Sequence, residues 1–278
     1  MVLAPTVDAH GAHIPAIGLG TWRLSGEECV RAVHAALEAG YRHLDTATMY
    51  ENEEAVGRGL ATGGVPRDQV WVTTKVWRTE WRRDALLASA RASLDRLKLS
   101  QVDLLLIHWP DPAMILEESI DALNEAKALG LARHIGVSNF PPRLLRAAVA
   151  RSGAPLVANQ CEYHPMLDQS ALLAECRNAG AAFVSYCPLG RGEMLENATL
   201  VDIARAHGRT PAQVLLRWHV QQPGVVAIPR SRSPERIAAN LHVFDFELSA
   251  DDMRRLHGLA RKDGRLVNPE TAPRWDES

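Results

Sequence analysis

Cysteine is scarce in this chain of 278 residues, with only Cys29, Cys161, Cys176 and Cys187. No two are spaced C-x-x-C and none stands beside a histidine pair at zinc spacing, so a reduced thiol set is expected and no metal is implied. A surplus of one charge is also missing. With 31 Lys+Arg against 33 Asp+Glu, the net charge of −2 gives no whole-molecule pull toward nucleic acid or an anionic membrane, and any phosphate site must show itself locally. No stretch approaches 18 uninterrupted apolar residues, and residues 1–18 carry neither a basic n-region nor an apolar h-region. Neither a membrane span nor export is indicated, and a cytoplasmic monomer acting on a small molecule is expected.

Several chemical motifs are absent as well. There is no Walker A sequence, no H-E-x-x-H and no G-x-S-x-G. Gly18-Leu19-Gly20-Thr21-Trp22-Arg23 begins like a dinucleotide fingerprint but has Arg23 where the third glycine belongs, and bulky Trp22 where backbone would meet pyrophosphate. An open Rossmann sheet is therefore not supported.

What the sequence does contain is a repeated alternation of short apolar runs and longer amphipathic stretches. The runs are 17–20, 41–45, 70–76, 102–109, 132–137, 156–161, 181–186 and 225–228. The run Leu104-Leu105-Leu106-Ile107 is continuous rather than alternating, as suits a parallel strand buried on both faces. Helices are predicted over 27–39, 51–61, 82–98, 115–129, 141–151, 169–179 and 199–222, the last broken at Gly208, with further starts at Ser233-Pro234 and Ser249. Ser25 to Glu28 and Thr210 to Gln213 fit the capping box, and Gly40, Gly130 and Gly180 stand where left-handed C′ glycines end helices. Eight strands with intervening helices and no linker-like tract predict an α/β fold, a single (β/α)8 TIM barrel spanning 1–278 as one domain.

In such a barrel the chemistry sits at the carboxyl ends of the strands. Asp45, Lys75 and His108 each end a separate run, with Tyr50 in the loop after Asp45, and Ser138, Asn139 and Gln160 end two more. A buried lysine needs a carboxylate partner. A tyrosine hydroxyl keeps its proton at neutral pH, and a nearby ammonium lowers its pKa. Tyr50 is thus expected to act as general acid, tuned by Lys75, with Asp45 holding Lys75 and His108 hydrogen-bonding a carbonyl oxygen. Protonating a carbonyl oxygen is half a reduction, and the hydride must come from a cofactor. After the eighth run, Ile228-Pro229-Arg230-Ser231-Arg232-Ser233-Pro234-Glu235-Arg236 gathers three arginines at a helix start, where barrels commonly bind phosphate.

These residues resemble the aldo-keto reductases, barrel enzymes that use a nicotinamide cofactor without a Rossmann fold. The likeness spans nearly the whole chain, through Gly18-Leu19-Gly20-Thr21-Trp22, Leu44-Asp45-Thr46-Ala47 with Tyr50, Asn52 and Glu53, Thr74-Lys75, Leu106 to Pro110, Gly136 to Phe140, Gln160, Tyr186 to Gly190, and Ile228 to Ser231 with Arg236 and Asn240. It implies NADPH/NADP+ as cofactor and Asp45, Tyr50, Lys75 and His108 as the catalytic tetrad. It also implies a cofactor track over Gly20, Thr21, Trp22 and Asp45. Ser138, Asn139 and Gln160 would hold the carboxamide, Tyr186 would stack on nicotinamide, and Cys187, Pro188, Leu189, Gly190 and Arg191 would lie along the pyrophosphate. Ile228, Pro229, Arg230, Ser231, Arg232 and Arg236 would surround the 2′-phosphate, with Asn240 near adenine. Trp22, Trp77 and Trp109, with Tyr50 and His108, would wall the substrate pocket.

Some positions depart from the family pattern. Arg230 replaces a frequent Lys, which keeps the cation and adds a bidentate fork, while Ala239 replaces a Glu and removes one adenine contact. The short stretch from Arg191 to Thr199 is similar to the bacterial diketogluconate-reductase-like branch and implies an open pocket. His108, where alkene-reducing members carry Glu, implies carbonyl reduction. The alternative is a barrel of this family retained only for binding NADPH, in a regulatory or structural role.

Overall fold

A computed structural model describes residues 4–275. The chain begins with a hairpin, β1 (Thr6–Ala9) and β2 (Ala12–Pro15), turned by His10 and Gly11 at φ 50° and 80°. Two consecutive left-handed residues match the strand twist that a two-residue hairpin needs. This hairpin was not expected from the sequence. Its Ala9, Ala12 and Ile14 pack with Trp71, Leu104, Leu106, Val157, Ala158, Ala182, Val184 and Val226, the apolar filling enclosed by the strands.

The eight predicted strands all form: β3 (Leu19–Gly20), β4 (His43–Asp45), β5 (Trp71–Val76), β6 (Val102–Ile107), β7 (Ala132–Ser138), β8 (Leu156–Glu162), β9 (Ala182–Tyr186) and β10 (Val225–Ala227). Each pairs in parallel with the next in sequence. The two ends of the sheet meet through a parallel bridge between Ile17 and Ala227, with Gly18 N donating to Ala227 O at 2.9 Å and Gly20 N to Pro229 O at 3.0 Å. A sheet closed on itself leaves no edge, and all its carboxyl ends share one face.

Among the described residues ten helices surround the strands: α1 (Gly26–Ala39), α2 (Glu53–Thr62), α3 (Arg83–Leu97), α4 (Leu116–Ala128), α5 (Pro142–Arg151), α6 (Ser170–Asn178), α7 (Ala198–Ala206), α8 (Pro211–Val220), α9 (Pro234–Leu241) and α10 (Ala250–His257). A second, larger core fills the layer between helices and strands. Gly40, Gly130 and Gly180 adopt the left-handed conformation expected of them, and Thr210 and Gln213 close a capping box. The box expected at Ser25 does not form. Gly26 stands at φ +47°, which takes the first residue out of helical geometry and moves the Ser25 side chain off its target amide. α2 begins at Glu53 rather than at residue 51, because Thr48–Tyr50 form a single 3-10 turn and Glu51 is left-handed at φ 54°.

After α10 the chain runs back as an irregular strap over the loop that follows β8. Arg261 N donates to Met166 O at 3.0 Å, while Leu266 N and Val267 N donate to the Glu162 carboxylate at 2.6 and 2.9 Å. Gly264 seats the strap: a Cβ there would stand 1.8 Å from Met166 O. Gly264→Ala should therefore lift the strap, lower the melting temperature by at least about 2 °C and speed tryptic cleavage at residues 261–265. An unchanged melting curve with unchanged proteolysis would show that this close approach holds nothing.

Candidate active site

The carboxyl ends of the strands bring the four candidate catalytic residues together. Asp45 ends β4, Lys75 lies one residue before the end of β5, His108 directly follows β6, and Tyr50 closes the 3-10 turn after β4. Lys75 is fully buried, with Nζ 2.5 Å from Asp45 Oδ1, 2.9 Å from Thr46 O and 3.4 Å from Tyr50 Oη. Three acceptors match the three N–H bonds that only the protonated amine possesses. Burial pulls the Lys75 pKa below the usual lysine value, and Asp45 and then Glu53 pull it back up. Gln160 Nε2 donates to the other Asp45 oxygen at 2.7 Å, so both carboxylate oxygens are engaged.

Tyr50 is enclosed by rings. Its centroid lies 4.9 Å from Trp22 and 5.5 Å from His108, and Lys75 Nζ sits 4.9 Å over its face. The direction of its pKa differs from the sequence expectation. Burial, helped by the charge of Asp45, pushes the phenol well above its ordinary value. Desolvation of the phenolate dominates, although Lys75 Nζ lies 3.4 Å from the hydroxyl. His108 is held well below the usual imidazole range by burial and by the Lys75 charge, and is neutral at pH 7. Its Nδ1 is buried without a hydrogen-bond partner among the described residues. Trp77 packs edge-on to His108 at 5.2 Å, and Trp109, the next residue along, is buried.

The candidate carboxamide residues form one chain of hydrogen bonds. Ser138 Oγ donates to Gln160 O at 2.8 Å, Asn139 Nδ2 donates to His108 O at 3.0 Å, and Tyr186 Oη donates to Asn139 Oδ1 at 2.8 Å. Asn139 holds φ 62°, a left-handed conformation that Asn tolerates better than most residues and that turns its side chain back across the strand ends. Thr21 Oγ1 donates to Asp45 O at 2.9 Å, tying Gly20, Thr21 and Trp22 to the tetrad. Cys187, Pro188, Leu189, Gly190 and Arg191 follow β9 in a tight run in which Cys187, Gly190 and Arg191 are left-handed.

Across the mouth, Ile228, Pro229, Arg230, Ser231 and Arg232 lead from β10 to α9, whose first turn Ser233 caps by accepting from Arg236 N at 3.2 Å. Arg230, Arg232 and Arg236 are exposed, and Asn240 is buried on the same helix. Arg232 has an unforeseen partner, Glu28 at 3.5 Å. A groove of about 650 Å³ between α2 and α3 is lined by Thr48, Glu51, Glu53, Glu54, Glu80 and Arg96, and so lies beside the turn that carries Tyr50.

Two supports behind the site had no independent signal in the sequence. Asn52 accepts from Thr46 Oγ1 at 2.7 Å and donates to Thr21 O and Leu24 O, both at 2.8 Å, locking the loops after β3 and β4 together. Glu53, fully buried, accepts from Thr74 Oγ1 at 2.5 Å and pairs with Arg96 at 2.6 Å behind Lys75. Only their place in the Tyr50-Glu51-Asn52-Glu53 motif set them apart.

Comparison with known proteins agrees with this arrangement. The sequence profile of the Aldo/keto reductase family matches residues 16–261. Methylglyoxal reductase DkgB of Escherichia coli O157:H7 is 42% identical over 267 residues, covering 95% of this chain and 99% of that protein. A crystal structure provisionally described as a 2,5-diketo-D-gluconic acid reductase B superposes with TM-score 0.97 at 43% identity, covering 99% and 98% of the two chains. The Bombyx mori aldo-keto reductase solved in complex with NADP is 34% identical with TM-score 0.90, covering 97% and 96%. An eight-stranded parallel barrel, a carboxylate-paired lysine at its mouth and matches over nearly the full length lead to one conclusion: the chain belongs to the aldo/keto reductase family, oxidoreductases that act on carbonyl groups with NADP(H).

Proposed function

We propose that this protein, working as one barrel domain, uses NADPH to reduce aldehydes or ketones to alcohols, with Tyr50 as the proton donor. The observation that carries this reading is the contact of buried Lys75 with both Asp45 and Tyr50. NADPH, when bound, supplies the hydride. Tyr50 gives its hydroxyl proton to the carbonyl oxygen, and its raised pKa keeps that proton in place until oxygen becomes basic. The Lys75 ammonium stabilises the phenolate left behind, and Asp45 with Gln160 fixes the ammonium in position. Neutral His108 orients the carbonyl by a hydrogen bond rather than by charge.

The residues present suit the dinucleotide. Tyr186 presents a ring whose hydroxyl is pinned to Asn139, and Ser138, Asn139 and Gln160 offer amide and hydroxyl partners suited to a carboxamide. Backbone N–H groups in the turn from Cys187 to Arg191, where Cys187, Gly190 and Arg191 are left-handed, suit a pyrophosphate. Arg230, Arg232 and Arg236, with Ser231, surround the capped start of α9, where an added 2′-phosphate would meet charge from both side chains and helix. Asn240 lies one turn further on.

A panel of aldehydes assayed for NADPH consumption tests the reduction itself. A protein that binds NADPH yet consumes none would be a binding barrel instead. Cofactor choice is tested separately through Arg236→Ala. A charge-assisted contact is worth about 1.5–3 kcal/mol, so NADPH affinity should fall roughly tenfold or more while NADH affinity stays near its wild-type value. The salt dependence of NADPH binding should also flatten. Equal wild-type affinities for the two dinucleotides would remove these arginines from the phosphate role.

A further inference from the structure

Two buried carboxylates act on Lys75. Asp45 meets the ammonium directly, whereas Glu53, at the start of α2 and 1% exposed, has each oxygen held by a different element. Thr74 Oγ1 on β5, the residue before Lys75, donates to Glu53 Oε1, and Arg96 Nε on α3 donates to Oε2 at 2.8 Å. Arg96 is itself exposed and lines the groove between α2 and α3. The turn that carries Tyr50 is fastened to the same place, since Thr48 Oγ1 donates to Lys75 O at 3.0 Å. Besides Asp45, Tyr50 and Glu53, the groups close enough to feel the Lys75 charge are His43 on β4 and His108 after β6.

Hydrogen bonding alone does not call for a carboxylate at residue 53. A glutamine would offer its oxygen to Arg96 and its amide to Thr74 Oγ1, at a lower cost of burial. What the carboxylate adds is a full negative charge inside the protein near Lys75, while its compensating cation, Arg96, reaches solvent, where its field is screened. Burial favours the uncharged amine, and Asp45 and then Glu53 favour the ammonium. Only the ammonium stabilises a Tyr50 phenolate. We propose that Glu53 is a positioning residue for the reduction: acting through Lys75, its carboxylate keeps the ammonium charged and in place beside Tyr50, and so sets the alkaline end of the working range. The assignment rests on the proton-transfer reading above and adds to it a residue that touches neither Lys75 nor Tyr50 directly.

The test follows two readouts in wild type, Glu53→Gln, Glu53→Asp and Arg96→Gln, each with a melting curve. Lysine occurs only at Lys75, Lys98, Lys127 and Lys262, so NMR of isotope-labelled lysine can titrate Lys75 directly, with Lys75→Arg identifying its signal. The second readout is the pH at which kcat for NADPH-dependent aldehyde reduction falls off on the alkaline side. Glu53→Gln should lower the pH at which Lys75 loses its proton by at least about half a unit, the small side of what a neighbouring opposite charge contributes, and the kinetic limb should move down with it. Glu53→Asp keeps the charge but not the reach, so its melting temperature should drop while its titration stays closer to wild type than that of Glu53→Gln. Arg96→Gln should move both readouts the other way, because Glu53 then acts on Lys75 without its cation. An unmoved Lys75 titration in Glu53→Gln, or equal shifts in the Gln and Asp variants, would overturn the assignment and leave carbonyl reduction standing. If Lys75 titrates as expected while the kinetic limb stays where it was, the lysine charge does not govern turnover, and the proton-transfer reading fails together with the assignment. Should Glu53→Gln not fold, Arg96→Gln decides alone: an upward shift of both readouts upholds the role of the Glu53 charge, and no shift or a downward one ends it.

Discussion

Replacing Tyr50 with Phe should lower carbonyl reduction by about 10²–10⁴-fold, the worth of a positioned general acid, while NADPH affinity changes little. The substitution removes one hydroxyl and leaves the ring, so contacts with Trp22 and His108 persist and Lys75 loses only its longest hydrogen bond. The fold should therefore survive, and a melting curve near that of wild type would exclude a trivial explanation. Reduction by the wild type should also stay level between about pH 6 and 9, because burial raises the pKa of the acid and the phenol keeps its proton throughout. His108 should add no acid limb in that range, since its pKa is depressed and the ring is already neutral. A Tyr50→Phe variant that retains more than a tenth of wild-type kcat on an unactivated aldehyde would take the acid role away from Tyr50.

The strands were readable because a closed parallel barrel demands short continuous apolar runs, and such runs recur eight times. The same regularity made the site readable: once every strand runs the same way, polar residues ending the runs must gather on one face. Two regions escaped for physical reasons. Strands β1 and β2 are four residues each and mix polar with apolar residues, and their His10-Gly11 turn is not among the strongest hairpin pairs. The strap has no period at all, so the link from Glu162 to the amides of Leu266 and Val267, across about a hundred residues, leaves no mark in the sequence. Electrostatics was the third limit. Proximity of Lys75 to Tyr50 was foreseeable, but the depth of burial that sends the phenol pKa upward was not, because burial belongs to the packed structure.

Lys75→Met should be the more damaging change to the fold. Asp45 would remain buried with an uncompensated charge and only Gln160 to satisfy it, and breaking a buried pair in this way costs about 3–5 kcal/mol. Turnover should fall as well, since no cation would stabilise the Tyr50 phenolate. Removing both charges in an Asp45→Asn, Lys75→Met double variant separates these effects. The amide can still exchange hydrogen bonds with Gln160, and Met fills most of the space of the lysine stem, so stability measured by denaturant unfolding should recover most of the loss. Activity should not recover, because the ammonium is still missing. If the double variant is as unstable as Lys75→Met, the pair is not coupled as the 2.5 Å contact requires. If it regains turnover together with stability, Lys75 serves the fold alone and the proton must reach the substrate without its help.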